Sequence, residues 1–214
     1  PLPGAVKRVP PRPGPVETYV REAERQRDAG NFEAAVVAYR KAIELRGKPV
    51  SDEGDLQYEL GKVYSRMERY EAAAAEFQYA STRRPSSETA LYATYELGNA
   101  YLDLGKYADA VAAYEQTLKL LTGEWSKSRP RLSAQYLPYP HYSRGLAHLG
   151  SGQKEQAVAD FEKAIELKPD FHEAHFNLGL TIWQLGRREV ARATETRLRN
   201  MNAALAAKLA ALFK

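Results

Sequence analysis

Cysteine is absent from the 214 residues. Its absence removes disulfides, thiolate nucleophiles and cysteine-ligated zinc together, and it suits an oxidising compartment without demanding one. Cytoplasmic and exported or periplasmic locations are both compatible with it. No apolar run approaches the roughly 18 residues of a membrane span, so a soluble chain with no transmembrane segment is expected. Histidine is scarce, with four residues. His141, His148 and His175 occupy aromatic or core slots of a helical pattern, where packing explains them. His172, Glu173 and His175 come nearest to a metal site, but tight sites need three or four convergent ligands. No metal and no cofactor are expected. The glycines lie at helix ends, not between a strand and a helix, so there is no phosphate-cradling loop. Acidic residues alternate with Lys and Arg as on solvated helix faces. No catalytic residues emerge, and the chain is expected not to be an enzyme.

What is present is helical. At 44% hydrophobic residues the chain can bury a core even in an elongated stack. The net charge of +4 is concentrated at the C-terminus, where Arg187, Arg188, Arg192, Arg197, Arg199, Lys208 and Lys214 face only Glu189 and Glu195. A solvated outer helix face accounts for this run, and nucleic-acid binding is not expected from it. Residues 1–15 hold six prolines, two glycines and three basic residues without helical periodicity, a composition that reads as a proline-rich flexible linker or a docking peptide. The opening Pro1-Leu2-Pro3, with no initiator Met, suggests a mature or trimmed form with something upstream.

A pattern then recurs five times, about every 34 residues. Second-helix positions Phe32, Ala35, Tyr39 and Ala42 return as Tyr70, Ala73, Phe77 and Ala80, then as Tyr107, Ala110, Tyr114 and Leu118, then as Ala157, Phe161 and Ala164. Self-similarity of this period is the signature of a stacked solenoid, in which each unit buries its apolar face against its neighbours. Gly30 with Asn31, Gly105, Gly150 with Gly152, and Gly186 mark turns between paired helices. Repeats are expected over about 16–49, 54–87, 91–124, 138–171 and 172–198. Residues 122–137, containing Gly123, Trp125 and Pro130, form an insertion, read as a loop or helix extension on one face. Trp125 either serves the binding face or covers its own helix ends. Leu205, Leu209, Leu212 and Phe213 recur at helical spacing, so a capping helix is expected over about 199–214, with a dimer contact as its other use.

These residues resemble the tetratricopeptide repeat (TPR) family. Leu60-Gly61, Leu97-Gly98 and Leu178-Gly179 match its Leu-Gly pair, with Arg144-Gly145 and Glu22-Ala23 as weaker equivalents. The Tyr slot that follows holds Tyr64, Tyr101, His148, Ile182 and Gln26. A small residue there lets two helices approach, and an aromatic on the facing helix fills the space beside it. The fifth repeat departs from the pattern, with Glu195 in the aromatic slot. The resemblance implies an all-α, right-handed superhelical solenoid of five helix pairs plus the cap. Regular repeats rich in Ala and Arg resemble bacterial members.

In the family, first helices line a concave face that binds other proteins. The corresponding stripe here carries Tyr58, Lys62, Tyr92, Tyr95, Asn99, Tyr139, Tyr142, Leu146, Phe176, Asn177, Leu180 and Trp183. It turns from charged to aromatic and aliphatic along the solenoid. An apolar groove of this kind is a default partner site, unless the C-terminal helix or the insertion folds back to fill it. The resemblance gives Asn99 and Asn177 the role of bonding the backbone of an extended peptide, and Lys62, on the same face, is expected to help orient a bound peptide or helix. The family's carboxylate clamp for chaperone tails is missing, because its slots hold Val20, Glu24, Glu59, Tyr92 and Glu96. The expected function is a protein-interaction module or assembly scaffold. A homo-oligomeric scaffold and a recruiting segment of a larger enzyme are the alternatives.

Overall fold

The computed structural model describes residues 14–47, 54–83 and 87–213. The expectation of a flexible linker falls outside these residues except at Gly14 and Pro15, and Pro15 opens the first helix. Among the described residues there is no strand, and no helix is long and apolar enough to cross a membrane.

Five helix pairs follow one another: α1 (Pro15–Asp28) with α2 (Phe32–Arg46), α3 (Asp55–Arg66) with α4 (Tyr70–Arg83), and α5 (Glu88–Asp103) with α6 (Tyr107–Thr122). After two short helices, α7 (Glu124–Ser128) and α8 (Pro130–Tyr136), come α9 (Pro138–Gly150) with α10 (Lys154–Leu167) and α11 (His172–Gln184) with α12 (Arg188–Met201). A last helix, α13 (Ala203–Leu212), closes the chain. Each helix packs chiefly on its neighbours in sequence, and α6 meets α9 directly across the insertion. This is the quasi-one-dimensional contact pattern of a solenoid.

Local chemistry sets the helix ends. Proline stands in the first turn of α1, α8 and α9, where the missing N–H would have had no partner. The Ser87 side chain accepts from the Ala90 N–H at 3.0 Å and starts α5. Between paired helices the turn residue is left-handed: Gly30, Gly105, Gly152 and Gly186 have φ of 69 to 79°. The second repeat does the same with Glu68, at φ 57°, a conformation that a side chain disfavours. Gly150 is not such a turn residue. It ends α9, and a Cβ there would stand 2.2 Å from the Tyr107 ring.

Pair packing follows the small-residue rule in detail. A Cβ on Gly61, Gly98 or Gly145 would lie 2.7, 2.5 or 2.7 Å from the rings of Phe77, Tyr114 and Phe161 respectively. Those three rings are fully buried. In the fifth repeat the aromatic is replaced by Glu195, itself buried and held by Arg199 at 2.8 Å. The space opposite Gly179 is filled by Leu209 of α13, whose Cδ2 would meet a Cβ at 2.7 Å. The C-terminal helix thus supplies the group that the fifth repeat lacks. Its start is set by Asn202, whose side chain accepts from the Leu205 N–H at 3.0 Å. The break therefore falls at Asn202, three residues later than the sequence pattern suggests.

The insertion is helical where a loop was one expectation. Trp125 is only 6% exposed, packed with Leu91 and Leu121, and the Arg129 guanidinium lies 5.2 Å from its ring centroid. It covers its own helix ends and is not a surface anchor.

Candidate binding site on the inner helices

Residues three and four apart on a helix share a face, so α5 presents Tyr92 with Tyr95 and α9 presents Tyr139 with Tyr142, beside the single Tyr58 of α3. Tyr58 from α3, Tyr92, Tyr95 and Glu96 from α5, and Tyr139 from α9 converge on a cavity of about 440 Å3. Tyr136, at the end of α8, completes its tyrosine lining, and Leu91, Thr117, Leu121 and Pro140 supply the rest. Ring centroids run from Tyr58 to Tyr92 at 6.4 Å, to Tyr136 at 5.4 Å, to Tyr139 at 6.4 Å and on to Phe171 at 5.6 Å. The insertion thus bridges aromatic rows from the second repeat to the fourth.

The site is polarised by a single acid. Burial pushes the Glu96 carboxyl above the ordinary carboxylate range, against the opposing pull of Asn99, whose Nδ2 donates to it at 3.1 Å, and of Lys62. Burial likewise pushes the Tyr58 and Tyr92 phenols up, so both are neutral donors at physiological pH. The Tyr92 hydroxyl donates to Glu88 at 2.7 Å, and Tyr95 shares a 3.1 Å hydrogen bond with Ser143.

The stripe read from sequence divides in two. Tyr58, Tyr92, Tyr95 and Tyr139 line the cavity. Lys62 stands beside it, bonded to Glu59 at 2.8 Å with its ammonium 5.1 Å from the Tyr58 centroid. Glu59 also takes Arg27 at 2.7 Å. Asn99 turns inward: it accepts from the Tyr114 hydroxyl at 2.8 Å and donates to Glu96. Asn177 donates to the Tyr142 hydroxyl at 2.9 Å and to the Glu173 carbonyl. The hydrogen bonds assigned to both asparagines for a guest thus go to the protein itself.

The remaining stripe residues do not line this cavity and are half-buried elsewhere. Tyr142 packs on Phe171 at 4.7 Å and Phe161 at 5.8 Å, and Leu146 joins the cluster around Phe161 and Leu178. Phe176 and Leu180 pack against Leu198, Ala206 and Leu209, while Trp183 stacks on Phe213 at 4.5 Å and 15°. The C-terminal helix fills this end of the face because an aliphatic stripe gains most from leaving water. Of the two open readings, self-occlusion holds in part at the fifth repeat, where Phe176, Leu180 and Trp183 stay half-buried.

Tyr136 and Glu96 escaped the sequence reading. Tyr136 stands one turn before Tyr139 across the Pro138 helix start, and Glu96 lies four residues after Tyr92 on the same face, so helical spacing carried the signal for both. Away from the cavity, Asp160 is buried and receives Arg144 at 2.6 Å, with His141 and His148 at 3.5 and 3.6 Å. The His175 ring donates from Nε2 to the Pro169 carbonyl at 3.0 Å. Among the described residues no group of three or more His, Asp or Glu side chains is arranged so that it could hold a metal ion.

Three family models match the chain: one described as tetratricopeptide repeat over residues 20–88, a second with the same description over 92–123, and one described as TPR repeat over 145–186. Helices α7 and α8 of the insertion lie between the second and third spans. Among solved structures, a MamA protein is similar at a TM-score of 0.73 and 21% identity, covering 88% of this chain and 92% of that one. A MamA structure running from residue 41 to the end, from Desulfovibrio magneticus RS-1, is similar at a TM-score of 0.72 and 20% identity, covering 88% and 96%. At such identities the likeness is one of fold. No curated protein matches the sequence.

Proposed function

The chain belongs to the tetratricopeptide repeat family, a protein-interaction architecture, and from that premise we propose that it binds a segment of a partner protein in the tyrosine-lined cavity between α3, α5, α8 and α9. The observation that carries this reading is the cavity itself, which is formed by five tyrosines from three successive repeats and the insertion. Its volume falls within the roughly 300–1,000 Å3 typical of ligand clefts. Tyrosine offers a large, rigid contact area with a polar tip, which is why it dominates recognition surfaces. The lining residues include no nucleophile paired with a base, which supports binding over catalysis.

Capture from native extract tests the reading. The chain is compared with a Tyr92→Ala, Tyr136→Ala variant and with a Val37→Asp control, Val37 being 69% exposed on α2. A partner kept by the control and lost by the folded double variant is the expected result. Retention by the double variant, with native helicity by circular dichroism, would place binding elsewhere.

A further inference from the structure

The cavity joins two features that are costly together unless a cation enters: aromatic walls and a partly desolvated carboxylate with no cation bonded to it. Glu96 is the only ionisable group in the lining apart from the phenols, and no basic residue lines the cavity. Its direct hydrogen bond comes from the neutral Asn99, and it has no ion pair among the described residues. Lys62 acts on it through space, but its ammonium is held by Glu59 at 2.8 and 3.1 Å. The wall residues already attract cations. The Lys62 and Lys168 ammonium groups each lie 5.1 Å from a lining ring, that of Tyr58 and that of Tyr139. A second acid, Glu88, accepts from Tyr92 beside the cavity.

Resting on the reading of this cavity as a partner site, we propose that its occupant is an arginine side chain from a segment of the partner protein, stacked among the tyrosines and bonded to Glu96. A guanidinium is planar, stacks on aromatic faces and presents paired donors to a carboxylate. An aliphatic anchor would bury Glu96 with no partner beyond the Asn99 amide. Charge complementarity therefore selects a cation, and the ring walls select a flat one.

The test uses the intact chain with tyrosine side chains labelled for NMR, titrated with N-acetyl-arginine amide and with its neutral isostere N-acetyl-citrulline amide. In parallel, random peptides displayed on phage are selected on the chain and counter-selected on the Tyr92→Ala, Tyr136→Ala variant. The expected result is movement of the Tyr58, Tyr92 and Tyr136 resonances with the arginine amide and arginine at one position of the selected peptides. Replacement of that arginine by citrulline should weaken binding about tenfold, the worth of one charge-assisted contact. Glu96→Gln should shrink the difference between arginine and citrulline, leaving only the part owed to the charge over the rings. Selected peptides that occupy the cavity through an aliphatic or aromatic anchor, indifferent to Glu96→Gln, would overturn the arginine assignment and leave the partner site standing. If neither the amides nor the peptides perturb the cavity tyrosines, both readings fall. The citrulline comparison is made on the parent chain, so it does not depend on how well any variant folds.

Discussion

The inner face has an open middle and a closed end, and the two differ in what their side chains lose by meeting water. Between α3 and α9 the walls are tyrosines, each with a hydroxyl that solvent or a neighbour can satisfy, and a cavity persists. Over α11 the corresponding positions are Phe176, Leu180 and Trp183, and α13 with Phe213 packs on them and leaves them half-buried. Purely apolar surface recruits the chain's own terminus, whereas amphipathic aromatic surface tolerates staying available. An apolar stripe in a solenoid sequence therefore marks a place that needs covering, which is a weaker statement than marking a partner site.

The sharpest way to break the contrast is Leu209→Ala. Leu209 is fully buried and takes the place of the missing fifth-repeat aromatic, so the cost should be about 3 kcal/mol. Urea unfolding measures it, and the fluorescence of Trp183 should shift toward that of an exposed indole as Phe213 lifts away. The same truncation at Tyr136 in the open middle should cost no more than about 1.5 kcal/mol; an equal loss would show that the two regions do not differ in kind.

Glycine substitutions sharpen the comparison next. Gly98→Ala drives a Cβ to 2.5 Å from the buried Tyr114 ring, and a cost of about 2 kcal/mol is expected from overpacking. Gly179→Ala meets the end of the Leu209 side chain, which can rotate away, and should cost under about 1 kcal/mol. Thermal melts of the two variants side by side would decide it, and a reversed order would mean that α13 is as rigid as a paired helix. Glu68→Gly should stabilise the second repeat by about 1 kcal/mol, because the left-handed turn at φ 57° no longer carries a side chain; an unchanged urea midpoint would count against it.

The smallest effects are two pH dependences, one on α11 and one on α10. Burial pushes the His175 imidazole below its ordinary value. The unfolded chain therefore takes up a proton first as pH falls below about 6.5, and the stability contributed by neutral His175 is lost from there downward. His175→Gln should flatten the melting temperature between pH 7 and 5. Asp160 behaves as an acid: burial opposes its ionisation, but hydrogen bonds from His141 and Arg144 outweigh burial and hold the carboxyl below the usual range. Its contribution is complete above the unfolded carboxylate pKa and disappears as pH falls through the lower folded value. Asp160→Asn should remove that acid-side loss.

Periodicity made the helix pairs legible, because Gly61, Gly98 and Gly145 and their facing rings repeat at fixed spacing. The cavity was half legible: Tyr58 and Tyr95 share one repeat slot and Tyr92 and Tyr139 another, whereas Tyr136 comes from an insertion that has no slot to share. Glu96 was visible only as a residue that spoils a known clamp. Trp125 drew notice by its size and lies buried, since a large side chain in a short insertion gains more by anchoring the insertion than by meeting solvent.

By itself the sequence determined the helical solenoid, its pairing and its need for a cap, because those follow from the spacing of small and aromatic residues along single helices. Only the tertiary structure decided which stretch of the inner face is free. That outcome depends on where two non-repeating segments come to rest, α7–α8 and α13. Their positions are set by competition among all exposed apolar surfaces for the same covering residues, a property of the assembled stack that no local pattern contains.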